Sequence, residues 1–145
     1  MILFDINVLV YAHREDQEHH AYFRSRLETI VGGDNPFGLT PLTAGGFIRI
    51  VTQPAFPNGP TPLPQALSVI DSLLSHPRGH MIQPGRRHWE IFSQLCRQTQ
   101  ASGKSVADAQ HAAVAIEHAA TWITRDKDFA RFTEHGLKWQ HWSPT

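Results

Sequence analysis

The stretch from Ile2 to Ala12, ILFDINVLVYA, constrains the fold more than any other part of this chain. Three apolar residues lead into Asp5, and a second apolar run follows at once. Because Asp is disfavoured inside strands and an unpaired carboxylate is costly to bury, Asp5 is predicted at the C-terminal end of a buried first strand. Asn7 then lies in the turn, and Val8 to Tyr11 start a helix. Ligand sites gather at this end of open α/β sheets, although Asp5 could serve only as a helix cap.

The composition places the chain among ordinary globular proteins. Its 145 residues suffice for one domain, expected over residues 1–145, with a real hydrophobic core. The formal net charge is zero, so any nucleic-acid binding needs a local basic patch. The single Cys96 excludes an internal disulfide and is typical of a reducing compartment. No apolar run approaches the length of a membrane span, and we therefore expect a cytoplasmic protein with no membrane partner.

Strand and helix patterns alternate along the chain. After the first strand, short strands are predicted at Phe37 to Leu39, at His80 to Gln83 and at Thr121 to Thr124. Leu137 to Trp142 is a candidate edge strand. Two helical segments separate each successive pair of the first four strands, and such alternation predicts an α/β fold with a mainly parallel sheet covered on both faces.

Several local features are predicted within this framework. Thr43 is a candidate N-cap of the helix that carries Phe47, Ser105 is a candidate cap of a later helix, and Trp89 is assigned to a buried helical stripe. Thr52 to Pro64 contains five prolines and one glycine, which predicts a long loop. That loop either shapes a binding surface or is a simple crossover.

Three acidic residues lie at positions where a parallel sheet presents its ligand site. Asp5 follows the first strand, Asp126 follows the fourth, and Asp108 falls near the N-terminus of the helix between them. Considered singly, each of these acids has a structural explanation, since an Asp suits a helix N-terminus or a turn. Parallel crossovers can nevertheless bring distant strand ends to one edge.

A cation between such carboxylates would relieve their repulsion. Oxygen ligands suit Mg²⁺ or Mn²⁺, and a partly hydrated ion activates water and neutralises charge on a phosphodiester. No zinc-type spacing of Cys and His competes with this interpretation, and the phosphate-binding and nucleophile-elbow motifs are absent from the sequence. The residues therefore predict a divalent-metal site.

At these same residues the chain resembles the PIN-domain ribonucleases of the VapC toxin type. The resemblance is carried by FDINVLVYA from Phe4, FIRIVTQP from Phe47, VADAQHAAVAIEHAATWITRDKDFARF from Val106 and GLKW from Gly136. It implies a three-layer α/β/α sandwich with four to five strands. It also implies a Mg²⁺- or Mn²⁺-dependent endoribonuclease that forms a homodimer and is silenced by an antitoxin protein.

The motifs assign the site residue by residue. Asp5, Asp108 and Asp126 match the family's metal-binding, catalytic acids, and Asp128 matches the second acid of the TxDxDF motif as a weaker candidate ligand. The chain departs from the family at Gly46, where a Glu usually precedes the FxR segment.

A missing carboxylate at Gly46 could weaken metal affinity, or another residue could assist through a bound water. The candidates for that role are Asp128, Asn7 and Thr43. The alternative function is a catalytically weak or inactive PIN fold that acts as a protein-interaction module.

The mechanism implied is attack of metal-activated water on an RNA phosphorus, which leaves a 5′-phosphate and a 3′-hydroxyl. Asn7 or Thr124 would orient an acid or the water. A rival class, the phosphoryl-aspartate phosphatases, needs a second Asp where this chain has Asn7. The candidates for holding the RNA backbone, each otherwise a solvated surface charge, are Arg49, Lys104, Arg125 and Lys127.

Overall fold

The computed structural model describes residues 1–144, which form a five-stranded parallel sheet between two layers of helices. Residue 145 lies outside the described part. The strands are β1 (Ile2–Phe4), β2 (Phe37–Leu39), β3 (Gly79–Met81), β4 (Thr121–Thr124) and β5 (Lys138–His141).

The helices fall between the strands in the predicted order. They are α1 (Ile6–His13), α2 (His20–Val31), α3 (Pro41–Val51), α4 (Leu63–Ser75), α5 (His88–Thr99) and α6 (Lys104–Glu117), followed by a 3-10 helix (Lys127–His135) before β5. Across residues 1–144, no helix is long and apolar enough to cross a bilayer.

The strand order is β3-β2-β1-β4-β5, and every neighbouring pair is parallel. Strand β1 is central, with Leu3 aligned with Gly38 of β2 and with Trp122 of β4. The predicted parallel sheet and its fifth, edge strand are therefore confirmed. This order brings the carboxyl ends of β1 and β4 together at one edge of the sheet.

Alternate residues of the central strands bury opposite faces of the sheet, as the period of two requires. Phe4 and Ile123 pack against the layer formed by α1 to α4. Leu3 and Trp122 pack against α5, α6 and the 3-10 helix. All four are fully buried, and each large apolar side chain removed from water contributes about 2 kcal/mol of stabilisation. The three-layer α/β/α prediction is confirmed.

Three local predictions were wrong. Helix α3 is capped by Thr40, not Thr43: the extended backbone of Thr40 lets its Oγ1 accept from the N–H of Thr43 at 3.0 Å, and Pro41 is preorganised for the first helical position. Trp89 is 72% exposed, and the buried residue of α5 is Leu95. Ser105 is not the cap of α6, which begins one residue earlier, at Lys104.

A buried arginine fixes the proline-rich loop between α3 and α4. The Arg14 guanidinium donates to Asp16 at 3.0 and 2.5 Å, to Thr61 Oγ1 at 3.0 Å and to the Gly59 carbonyl at 2.7 Å. It also lies 4.2 Å from the centre of the Phe56 ring. Because these bonds tie the loop to the end of α1, Phe56 is held beside the carboxyl edge of the sheet.

Two adjacent glycines in α3 have opposite surroundings. A Cβ at Gly45 would meet nothing within 4 Å, whereas a Cβ at Gly46 would collide with the Ile6 side chain. We expect Gly45→Ala to raise the free energy of unfolding by about 1 kcal/mol through helix propensity alone. Gly46→Ala should gain less or lose stability, because Ile6 must move. Urea unfolding of both variants tests this, and equal gains would contradict the collision.

Candidate active site

Asp5 lies at the junction of β1 and α1 and is almost fully buried. Its backbone N–H continues the sheet by donating to the Ile123 carbonyl at 2.8 Å. Its carboxylate accepts from the Ile6 N–H at 2.6 Å and from the Thr124 hydroxyl at 2.6 Å. Asp5 therefore caps α1, as the structural alternative for it predicted, and its second oxygen is aimed across the sheet edge.

Thr124, the last residue of β4, links two of the predicted acids. Its fully buried hydroxyl donates to Asp5 Oδ2 and accepts from the backbone N–H of Asp126 at 2.9 Å. Because this one side chain bonds to both, the positions of Asp5 and of the chain at Asp126 are fixed relative to each other.

Lys104 connects Asp126 with the third acid. Its ammonium donates to Asp126 Oδ2 at 2.6 Å and to Asp108 Oδ2 at 3.0 Å. Asp108 is one turn further along α6 and is buried, so helix packing brings its carboxylate to the sheet edge. The structure thus brings Asp5, Asp108 and Asp126 together.

The three acids line a depression of about 400 Å³. Its walls combine carboxylates with aromatic and aliphatic side chains from α1, α3, α6 and the proline-rich loop. The remaining lining residues are Ile6, Asn7, Val10, Tyr11, Gln17, Ile50, Phe56, Lys104 and His111.

The protonation of the three acids differs with their surroundings. Burial, together with the weaker effect of the charges of Asp108 and Asp126, raises the pKa of Asp5 to about 6, although the hydrogen bonds from Thr124 and Ile6 oppose this rise. Burial also raises the pKa of Asp108, although the hydrogen bond from Lys104 lowers it in part. At Asp126, burial is outweighed by the hydrogen bonds from Lys104 and the Asp128 N–H, so its pKa is lowered. Perturbed carboxyl groups in one depression are typical of functional sites.

His111 is a lining residue that the sequence analysis missed. It follows Asp108 by three positions in α6, so both lie on the same helical face. Its ring stacks on Trp122 with centroids 5.0 Å apart, and its Nδ1 is buried without a hydrogen-bond partner in residues 1–144. Burial, and then the charge of Lys104, lower the pKa of His111 to about 4, which keeps it neutral near pH 7.

Three further residues predicted to position or bind the substrate, Asn7, Arg125 and Arg49, differ in their position relative to the depression and in their contacts. Asn7 is in α1 rather than in a turn, and its Oδ1 accepts from the Arg125 N–H at 3.2 Å. The Arg125 guanidinium lies 4.4 Å from the centre of the Tyr11 ring. Arg49 is exposed on α3 and does not line the depression.

Asp128 lies in a separate surface depression with Lys127, and its contact with the acids is through its backbone N–H, which donates to Asp126 Oδ1 at 2.9 Å. Thr43 is a buried residue of α3 and does not line the acid site. The side chain of Ile6 fills the space next to Gly46, where the family usually has its Glu. An apolar side chain therefore occupies the space beside the position of the missing carboxylate.

The donor set fits a hard divalent cation at Asp108 and Asp126. Both carboxylates already share one positive charge, that of Lys104, and oxygen ligands are those that Mg²⁺ and Mn²⁺ prefer. In residues 1–144, no three acidic, histidine or cysteine side chains are arranged as a ready-made metal cage. The arrangement is therefore a pair of carboxylates that share the Lys104 ammonium, with Asp5 beside it.

Known proteins resemble this chain over almost its whole length. The PIN domain family matches residues 2–134. The chain is 43% identical over 141 residues to VapC ribonuclease Mb2897 of Mycobacterium bovis, covering 97% of this chain and 95% of that protein. It is 33% identical over 132 residues to ribonuclease VapC25 of Mycobacterium tuberculosis, covering 91% and 93%.

Among solved structures, VapBC2 from Rickettsia felis, bound to a DNA fragment from its promoter, superposes with a TM-score of 0.71. That likeness covers 99% of this chain and 100% of the other at 21% sequence identity, so it supports the fold alone. The family match and the sequence relatives lead to one conclusion. This chain belongs to the PIN domain family, among the VapC ribonucleases.

Proposed function

We propose that this chain is a divalent-metal-dependent endoribonuclease and the toxin of a toxin–antitoxin pair. The observation that carries the proposal is the convergence of Asp5, Asp108 and Asp126 on one depression. Two relatives that align over almost the whole chain are named VapC ribonucleases, which supports the same activity here.

Asp108 and Asp126 would hold the cation, Mg²⁺ or Mn²⁺. When bound, such an ion supplies activated water and neutralises charge on the phosphodiester. Asp5 keeps a fixed orientation because Thr124 and Ile6 each occupy one of its oxygens. Since each carboxylate oxygen accepts more than one hydrogen bond, Asp5 can still orient a water molecule.

The walls of the depression suit single-stranded RNA. Tyr11 and Phe56 provide aromatic surface, and exposed bases of RNA loops are commonly bound by aromatic stacking. The Arg125 guanidinium packs on the Tyr11 ring and is not among the lining residues, so it supports that ring rather than reaching into the site. We propose Asn7, Thr124 and Arg125 as positioning residues, with Arg49 left as a candidate backbone contact outside the depression.

The inactive interaction module remains the alternative, and Gly46 is the residue that favours it. The two functions differ in whether the purified chain cuts RNA when Mg²⁺ or Mn²⁺ is added.

We expect Asp108→Asn to reduce metal-dependent RNA cleavage by roughly 100-fold or more, because a neutral amide neither holds the cation nor balances its charge. Asp5→Asn should have a comparable effect. Asp34→Asn changes an exposed acid outside the site and is the matched control. The measurement is cleavage of a structured RNA with Mn²⁺, followed by sequencing of the RNA ends. Full activity in Asp108→Asn would refute the assigned role, and no cleavage by the unaltered chain would favour the interaction module.

The buried Asp5 carboxylate should make the protein less stable as pH rises. Its pKa is about 6 in the folded chain, against an ordinary value of 3.8, so folding favours its protonated form. The penalty is absent below about pH 4, grows between about pH 4 and 6, and levels off above 6 at roughly 3 kcal/mol. In chelator-containing buffer, we therefore expect Asp5→Asn to gain stability relative to the unaltered chain between pH 4 and 7. A pH-independent difference in urea unfolding would contradict this origin.

The antitoxin is proposed to bind in a second groove, of about 490 Å³, between α2 and α4. Its walls are mainly apolar, with Leu27, Val31, Val69 and Leu73 among them, and Arg24 and Glu28 lie at the same groove. An amphipathic helix with apolar residues at i, i+3 and i+4 suits a groove of this kind. The Rickettsia felis structure is that of a VapBC pair, which supports a partner protein here. A homodimer, a cytoplasmic location and a single domain over residues 1–145 stay predictions.

A bulky side chain in this groove should weaken binding of the antitoxin without changing RNA cleavage. We expect Ser72→Trp, at an exposed lining position of α4, to lower affinity for the antitoxin at least tenfold by occupying the groove. Ser68→Trp is the matched control, because Ser68 is exposed on the same helix outside the lining. Calorimetry measures binding, and RNA cleavage by the isolated variants should be unchanged. Equal affinities would place the antitoxin elsewhere.

A further inference from the structure

We propose that Lys104 acts as a tethered counter-cation that competes with the divalent ion for Asp108 and Asp126 and leaves when that ion binds. The inference rests on the proposed function, and it deepens that function by assigning a regulatory residue to the same site. It begins from the two short bonds from the Lys104 ammonium, 2.6 Å to Asp126 and 3.0 Å to Asp108.

The position of Lys104 is unfavourable for the helix that carries it. Lys104 is the first residue of α6, where the positive end of the helix dipole disfavours a cation. Its pairing with Asp108 has the lysine N-terminal to the acid, which is the weaker order for an i,i+4 ion pair. The Lys104 side chain is also 67% exposed, and exposed ion pairs contribute little to stability. Helix stability therefore does not explain the residue.

The backbone before Lys104 is fixed, whereas its side chain is largely exposed to solvent. Gly103 has φ +56°, a conformation that favours glycine, and Ser102 and Ser105 exchange hydrogen bonds of 2.9 Å across the turn. The Cα of Lys104 is thus held beside the acids, and its flexible four-carbon stem can swing into solvent. Lys104 can therefore release its hydrogen bonds to the two carboxylates without a change in the backbone.

The charge of the site explains why the single positive charge of Lys104 is enough to pair with the acids when no divalent ion is bound. With Gly46 in place of the family's usual Glu, three carboxylates remain, and the Asp5 carboxylate already accepts hydrogen bonds from the Ile6 N–H and the Thr124 hydroxyl. Asp108 and Asp126 are then the pair that needs a cation. A divalent ion held between these two carboxylates would lie where the Lys104 ammonium lies, and because like charges repel, binding of the ion displaces the ammonium.

The experiment measures Mn²⁺ affinity directly, from the electron paramagnetic resonance signal of free Mn²⁺ at neutral pH. It compares the unaltered chain with Lys104→Met, which keeps most of the aliphatic stem and removes the charge. Lys138→Met is the matched control, because Lys138 is exposed on β5 outside the acid site and its loss changes net charge equally. We expect Lys104→Met to bind Mn²⁺ about tenfold more tightly, as expected when a competing charge-assisted pair is removed, and Lys138→Met to be unchanged.

Equal or weaker Mn²⁺ binding by Lys104→Met would overturn the inference, as would tightening of the same size in Lys138→Met. An absence of Mn²⁺ binding in all three proteins would also overturn it. RNA cleavage is measured separately on the same preparations. Cleavage by the unaltered chain with no change in Mn²⁺ affinity rejects the role of Lys104 and keeps the nuclease. Tighter Mn²⁺ binding without cleavage keeps the role of Lys104 and rejects the nuclease.

Discussion

The parallel pairing of β1 with β4 is the constraint on which the site depends. Phe4 aligns with Ile123 in this pairing, so Asp5 and Thr124 follow at the same level of the sheet edge. The Thr124 hydroxyl then bonds to both Asp5 and the backbone of Asp126. A shift of β4 by one residue would turn Thr124 to the other face and separate the acids. Burial of Leu3, Phe4, Trp122 and Ile123 on opposite faces is what holds the register.

Function and stability oppose each other at Asp5. The chain buries a carboxylate whose charged form is disfavoured there, and it offsets only part of that cost with hydrogen bonds from Thr124 and Ile6. An apolar residue at this position would suit the surrounding core better, but it could neither cap α1 nor face the depression. The burial also lowers the effective dielectric around the acids, so that a bound cation would interact with them more strongly than in water.

The sequence was sufficient to predict the features that depend on hydrophobic periodicity and on where the strands end. The order of elements, the bounds of β4 and the grouping of Asp5, Asp108 and Asp126 could all be predicted, because parallel strands place their carboxyl ends together. Features that depend on packing between distant segments could not be predicted from the sequence. Trp89 has the spacing of a core residue but is exposed, Thr40 rather than Thr43 has the extended backbone of a cap, and His111 reaches the site only because α6 turns that face inward.

Gly46 illustrates a change that local sequence cannot interpret. Read alone, a glycine in the place of an acid suggests an open space in which water could replace the carboxylate. The structure instead places the Ile6 side chain against it, so two positions far apart in sequence have complementary sizes. Loss of the acid is therefore accompanied by an apolar wall, and the remaining negative charge lies toward Asp108 and Asp126. That asymmetry gives one lysine ammonium a pair of carboxylates to neutralise, one on α6 and one just after β4, and leaves α3 without an acid at the site.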